Sequence, residues 1–162
     1  MDFSRLNRNR VMIGAGAALL LVISLFLPWF SLDHNPTRDA GDGFLCGTDD
    51  YSCTGFETFP VLRWLLVLAA SAPIILAWVL VRGHKLSWAP GELTMVAGFT
   101  ATVLIAYNGI IDKPGTGPAE SGISLDYGYF LALLCAIAIS VVGFTRSQES
   151  GGRQARKAPG TV

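Results

Sequence analysis

The chain has 162 residues, of which 51% are hydrophobic and only 15% are charged, with 12 basic and 12 acidic residues. Soluble domains usually carry about 25% charged residues, and here the charges are missing from four long apolar stretches. With a net charge of zero and no Lys/Arg cluster of the kind that nucleic-acid-binding surfaces need, no nucleic acid is expected as a partner. The composition predicts a multi-pass membrane protein whose first partner is the lipid bilayer.

The apolar stretches predict four membrane-spanning helices. The first stretch, residues 11–32, is uncharged and follows a short polar head, residues 1–10. It is long enough to cross a hydrocarbon core of ~30 Å, and it is too long for the apolar region of a signal peptide. The predicted fold class is therefore all-α, an integral membrane four-helix bundle within residues 11–146, with spans at about 11–32, 59–81, 92–111 and 127–145.

Two polar segments stand out between and after these spans. Residues 33–58 form the longest loop, rich in Gly, Asp and Thr, and a loop of that length is typically functional or disordered. Residues 147–162 form a polar tail that contains Gly and Pro. Such a composition buries too little apolar surface to fold alone, so the tail is expected to be a disordered cytoplasmic segment.

The distribution of basic residues predicts the orientation. Lys and Arg concentrate in the head, the loop at residues 82–91 and the tail, whereas the other side of the predicted membrane holds only Arg38, Arg63 and Lys113. An excess of Lys and Arg marks the cytoplasmic side of short segments. Both termini are therefore expected in the cytoplasm, the 33–58 loop outside, and the protein in the plasma (cytoplasmic) membrane.

The cysteines fit this orientation. Cys46 and Cys53 lie in the predicted outer loop, where an oxidising exterior lets disulfides persist, so we expect a Cys46–Cys53 bridge. The alternative is a pair of free thiols. Cys135 falls inside the fourth span, where it is expected to behave as a small apolar side chain.

Aromatic and basic residues at the outer ends of two spans predict interface anchors. Trp29 closes the first span, and Arg63 and Trp64 open the second. Tryptophan favours headgroup depth, and an arginine near a helix end extends its charge to the interface. Binding of a lipid headgroup by Arg63, or pairing with Glu57, is the alternative.

A stripe of small residues marks the fourth span. Small residues at four-residue spacing allow close approach of a neighbouring helix. The predicted helix-packing residues are Gly128, Ala132, Ala136 and Ser140.

Few residues suggest chemistry. The outer loop has an acidic set of the kind that attracts Ca²⁺, but its spacing does not match a calcium loop, and a solvated loop is favoured. His34, beside Asp33, is a candidate metal ligand or pH-sensitive group, but a lone histidine in a polar loop is usually neither. We therefore predict no metal and no cofactor. The acidic set consists of Asp39, Asp42, Asp49 and Asp50.

No Asp, Glu, Lys, Arg or His lies deep in any span, and no nucleophile, redox or phosphate-binding motif is present. We therefore expect no enzyme but an accessory or structural subunit that acts through a membrane protein partner or as a homo-oligomer. The alternative is a small homo-oligomeric transporter or channel whose path is lined by the polar residues of the third span, Thr94, Thr100, Thr102 and Asn108.

Four short motifs carry a family resemblance: LFLPWFS (25–31), TGFETFPVLRWLL (54–66), RGHKLSWAPGELT (82–94) and DYGYFLALLCAIAIS (126–140). With them the chain resembles short, uncharacterised four-helix membrane proteins of actinobacterial type, which implies the topology above and no particular activity. The layout is also similar to claudin-like tetraspans by architecture only, because the claudin motif of Trp followed by Gly-Leu-Trp ahead of two cysteines is missing.

Overall fold

The protein is mainly helical, as predicted. A computed structural model describes residues 3–32, 52–82, 90–113 and 123–155. Two of its helical segments, Gly91–Ile110 and Tyr127–Gln148, are long and apolar enough to cross a membrane. The elements in chain order are α1 (Phe3–Ser24), β1 (Pro28–Leu32), β2 (Ser52–Thr54), α2 (Gly55–Thr58), α3 (Leu62–Val81), α4 (Pro90–Ile110), β3 (Ile123–Leu125) and α5 (Tyr127–Ala155).

The four long helices contact one another in the cyclic order α1, α5, α4, α3. The contact between α4 and α5 is the most extensive of these four, followed by that between α1 and α5. Small side chains fill much of the core, so the helices approach closely. The fully buried alanines are Ala18, Ala70, Ala101, Ala132 and Ala136, and larger buried side chains such as Leu21, Leu66, Ile105 and Ile139 lie among them.

The first helix ends earlier than the sequence predicts. α1 stops at Ser24, and the amides of the next three residues bond to carbonyls three positions back, which closes the helix with tight turns. Pro28 then begins a strand. It has no N–H to continue the helical hydrogen bonds, and its fixed φ suits the first residue of an extended segment. The predicted span at 11–32 is therefore a helix only as far as Ser24.

A three-stranded antiparallel sheet corrects the all-α prediction. Its strand order is β2-β1-β3, so β1 is the central strand. Phe30 lies opposite Cys53 on one side and Leu125 on the other. The pairing with β2 is irregular between Pro28 and Phe30. Strands of three residues gain little from local propensity, and here they form because β1 offers both of its edges.

A capping box leads the chain from the sheet toward α3. Thr54 accepts a hydrogen bond from the Glu57 amide at 3.3 Å, and the Glu57 carboxylate accepts one from the Thr54 amide at 3.4 Å. This reciprocal pair begins the short helix α2. The end of the predicted outer loop is therefore ordered, while residues 33–51 of that loop lie outside the described residues.

The last helix is longer than predicted. α5 begins where expected, at Tyr127, whose amide donates a 2.8 Å hydrogen bond to the Asp126 carboxylate. It continues to Ala155, well into the tail that we expect to be disordered from residue 147. Extending an existing helix is far easier than starting one, so polar residues can follow an apolar helix without interruption. Residues 156–162 lie outside the described part.

Candidate functional site

Large apolar side chains cover the outside of the molecule. Each of the four long helices exposes several bulky apolar residues on the side away from the core. Soluble monomers rarely expose apolar patches beyond a few hundred Å², whereas lipid is a favourable solvent for such a surface. Examples are Met12, Leu19 and Ile23 on α1, Leu68, Ile75 and Trp78 on α3, Val96, Phe99 and Val103 on α4, and Leu134, Val141 and Phe144 on α5.

The helices α4 and α5 are in backbone contact through glycines. A Cβ built on Gly98 would lie 2.5 Å from the Ser140 amide nitrogen and 2.8 Å from its hydroxyl oxygen. A Cβ on Gly143 would collide with the backbone of Met95, and one on Gly91 with that of Ser147. The two helices therefore approach as closely as their backbones allow, which only glycine permits at these positions.

The predicted packing residues of α5 do not all meet the same neighbour. Ala132 and Ala136 are fully buried in the core. The Ser140 backbone lies against Gly98 of α4. Gly128 instead lies against the end of the first helical segment and the start of the sheet, because a Cβ there would be 2.5 Å from the Pro28 carbonyl oxygen. The stripe is thus used inside the molecule.

The polar side chains of α4 bond mainly to their own helix. Thr102 donates to the Gly98 carbonyl at 2.9 Å, and the Asn108 amide donates to the Leu104 carbonyl at 2.8 Å. Thr94 is buried, whereas Thr100 is exposed on the outer surface. Thr102 and Asn108 are half-buried. The path lined by these four residues stays a prediction.

An apolar groove lies on the outer side of α4 and α5. Its volume is about 370 Å³. Ser140 brings the one hydroxyl to this lining, and that hydroxyl donates to the Ala136 carbonyl at 3.0 Å. The groove therefore offers shape and apolar contact rather than hydrogen bonds. It is lined by Met95, Val96, Phe99, Ser140, Val141 and Phe144.

Aromatic side chains fill the space beneath the sheet. Trp29 packs edge-on against Tyr129 at 5.9 Å between ring centroids, and its Nε1–H donates to the Ser24 carbonyl at 2.7 Å. The Tyr129 ring occupies the space that a side chain at Gly109 would need. The Trp29 indole is fully buried inside the molecule, and its role as an interface anchor stays a prediction.

Arg63 and Trp64 lie at the outer edge of this aromatic cluster. The Arg63 guanidinium lies 4.7 Å from the Phe56 ring centroid and 5.7 Å from that of Trp64, and its Nη1 donates to the Phe56 carbonyl at 3.2 Å. Trp64 is 60% exposed, a position compatible with the predicted interface anchor. The predicted alternative partner Glu57 bonds to Thr54 instead.

A second pair of arginine and aromatic ring lies at the other end of α3. The Arg82 guanidinium lies 4.0 Å from the Trp78 ring centroid. Arg82 follows Arg63 by 19 residues along a continuous helix, a rise of about 28 Å. Both ends of α3 thus carry a cation beside an indole, at a separation close to the ~30 Å of a hydrocarbon core.

The structure describes one of the two cysteines of the predicted disulfide. Cys53 is fully buried in β2, and Cys46 lies outside the described residues, so the Cys46–Cys53 bridge stays a prediction. Cys135 is a buried free thiol in α5. The acidic set of the outer loop and His34 also lie outside the described residues, and within the described ranges no three His, Cys, Asp or Glu residues come together to hold a metal.

The glycines on one face of α4 were not among the predicted packing residues. Gly91, Gly98 and Gly109 are separated by seven and eleven residues, which are two and three helical turns, so they share one face. That spacing was available from the sequence and indicates close packing as clearly as the stripe on α5. The contact of Arg63 with Phe56 had no such signal, because it depends on how α2 turns into α3.

Comparison with known proteins found no relative of the chain. The resemblances to the actinobacterial proteins and to the claudin-like layout therefore stay predictions. No protein-family model matches the chain, and no curated protein matches it.

Proposed function

We propose that the protein is a four-span integral membrane protein with both termini in the cytoplasm, and that it works as a non-enzymatic accessory or structural subunit by binding a membrane protein partner. The membrane placement of all four long helices is supported by their exposed bulky apolar side chains. The paired arginines at the ends of α3 support it independently, since their separation of about 28 Å matches the thickness of a bilayer core.

The groove between α4 and α5 is the observation that carries the role in binding. Gly91, Gly98 and Gly143 are used in the contact between the two helices, so a partner has only the outward faces available. In lipid, helices associate through shape complementarity because burial of apolar surface gives no net advantage over lipid tails. A concave apolar groove between two spans is the place where a bulky side chain of a partner helix gains most contact.

Filling the groove tests this proposal. We expect Val141→Trp to release the partner, because the indole occupies the space that the partner helix would enter. Leu134→Trp is the matched control, since Leu134 is also exposed on α5 but lies two turns away and does not line the groove. The measurement is purification in mild detergent from the native host, with mass analysis of the proteins that copurify.

The proposal requires a stoichiometric partner that copurifies with the wild type and the Leu134→Trp variant and is lost from Val141→Trp. A partner that stays with both variants would place binding elsewhere. A wild-type preparation that contains only copies of this chain would favour the alternative, a small homo-oligomeric transporter or channel. In that case the exposed Thr100 would face a path between copies, and solute flux into proteoliposomes would be the next measurement.

A further inference from the structure

Arg63 carries a charge that no carboxylate neutralises within the described part of the chain. Among the described residues it makes one hydrogen bond, from Nη1 to the Phe56 carbonyl, and its buried Nε finds no acceptor among them. The acidic residue nearest in sequence, Glu57, accepts hydrogen bonds from the Thr54 amide and hydroxyl. A guanidinium has five N–H donors, four of them on the two Nη atoms. One of these four bonds to Phe56, so three can donate to a bound ligand.

Two aromatic rings hold this guanidinium in place. The Phe56 and Trp64 rings lie within 6 Å of it, as cation–π contacts require. Phe56 is itself held by stacking on Phe26 at 5.2 Å between centroids. Cation–π contacts position a charge without cancelling it, so Arg63 is a fixed cation rather than one that moves freely in solvent.

The surface around Arg63 is apolar and exposed. Val61 is 70% exposed, Phe26 is 62% exposed and Trp64 is 60% exposed. Arg63 is also the second residue of α3, whose first turn contains no acidic residue, so the positive end of the helix dipole adds to its charge. A fixed cation beside exposed apolar side chains matches the two parts of a phospholipid, an anionic head and an acyl chain.

We infer that Arg63 binds the phosphate of an anionic phospholipid in the leaflet next to the sheet, with an acyl chain lying along Val61 and Trp64. The planar fork of the guanidinium suits two phosphate oxygens at once. A headgroup with a net negative charge neutralises Arg63, whereas a zwitterionic headgroup brings its own cation into the same space. This inference rests on the membrane placement proposed above but not on the existence of a protein partner.

Native mass spectrometry of the purified full chain tests the site. Phosphatidylglycerol and phosphatidylcholine are each added to delipidated protein in detergent, and bound lipid is counted against concentration. We expect the wild type to prefer phosphatidylglycerol, Arg63→Gln to bind it roughly tenfold more weakly, and Arg63→Lys to lie between them, since lysine keeps the charge but not the fork. Arg82→Gln is the matched control, because Arg82 lies beside an indole at the opposite end of the same helix.

Each other outcome overturns the inference in a different way. Equal binding of phosphatidylglycerol by the wild type and Arg63→Gln, when both unfold at the same temperature in lipid-free detergent, removes Arg63 from the site. An equal loss in Arg82→Gln shows a general charge effect. Full competition by inorganic phosphate at the concentration of the lipid assigns the site to a free anion. Failure of the wild-type chain to float with vesicles refutes the membrane placement itself, which separates that failure from the others.

Discussion

Replacing Gly98 by alanine probes the contact between α4 and α5 most directly. A Cβ at this position would lie 2.5 Å from the Ser140 amide nitrogen, whereas ordinary contacts begin at 3.4 Å. The obstacle is backbone in the middle of a helix and not the end of a flexible side chain. The two helices must therefore separate by ~1 Å, which loosens the neighbouring contacts as well.

The expected size follows from two opposing effects. Alanine is a better helix former than glycine by roughly 0.8–1.0 kcal/mol, which favours the variant. Forcing an extra carbon into a well-packed contact costs about 1–3 kcal/mol. We therefore expect Gly98→Ala to lower the free energy of unfolding by up to about 2 kcal/mol.

The matched control is Gly16→Ala on α1. A Cβ at Gly16 would have no atom within 4 Å, so the same substitution gains helix propensity without a collision. The assay is unfolding of the purified protein in mixed micelles with increasing dodecyl sulfate, followed by circular dichroism. If Gly98→Ala unfolds at the same fraction of dodecyl sulfate as Gly16→Ala or at a higher one, the close backbone contact does not exist.

Three further results are expected. Trp29→Phe loses the buried indole hydrogen bond and should lower the free energy of unfolding by about 1–3 kcal/mol, whereas the exposed Trp64→Phe should change it by less than about 0.5 kcal/mol; equal effects would contradict the burial of Trp29. Thr54→Ala removes the capping box and should cost about 1 kcal/mol in the same unfolding assay, and an unchanged midpoint would show that the cap contributes nothing. In intact cells an impermeant maleimide should label Cys46 only after reduction, whereas Cys53 is fully buried in β2 and should stay unlabelled; labelling of Cys46 without reduction would disprove the bridge, and no labelling of Cys46 after reduction would contradict the outer location.

The helices were predictable because their signal is local. Long uncharged runs are recognisable in the sequence, and α4 and α5 begin within two residues of the expected positions. The end of α1 was not predictable from the same signal, since a run of apolar residues has the same composition whether it is helix or strand. Pro28 was visible, but the partners that turn its segment into a strand lie far away in the chain.

The candidate sites depend on contacts that local patterns do not show. A tryptophan at the end of an apolar run has the same sequence whether it faces headgroups or, as Trp29 does, lies buried under a sheet. The groove forms only if α4 and α5 are rotated correctly about their axes relative to each other. The glycine contacts determine that rotation, and the periodicity of the sequence does not specify it. The glycine spacing of α4 was the one feature of these sites that the sequence could have predicted, because helical geometry alone places glycines at that spacing on one face.

The central position of β1 has a consequence for the order in which the protein is made. One edge of β1 pairs with residues 52–54, soon after it leaves the ribosome, but the other edge waits for β3, whose Ser124 lies 93 residues beyond its partner Ser31. Until α2, α3 and α4 have also been synthesised, that edge has unpaired amides and carbonyls open to any other strand. The sheet is thus completed only when the fourth long helix is about to begin, and a chain interrupted before residue 123 leaves β1 ready to pair with a second molecule.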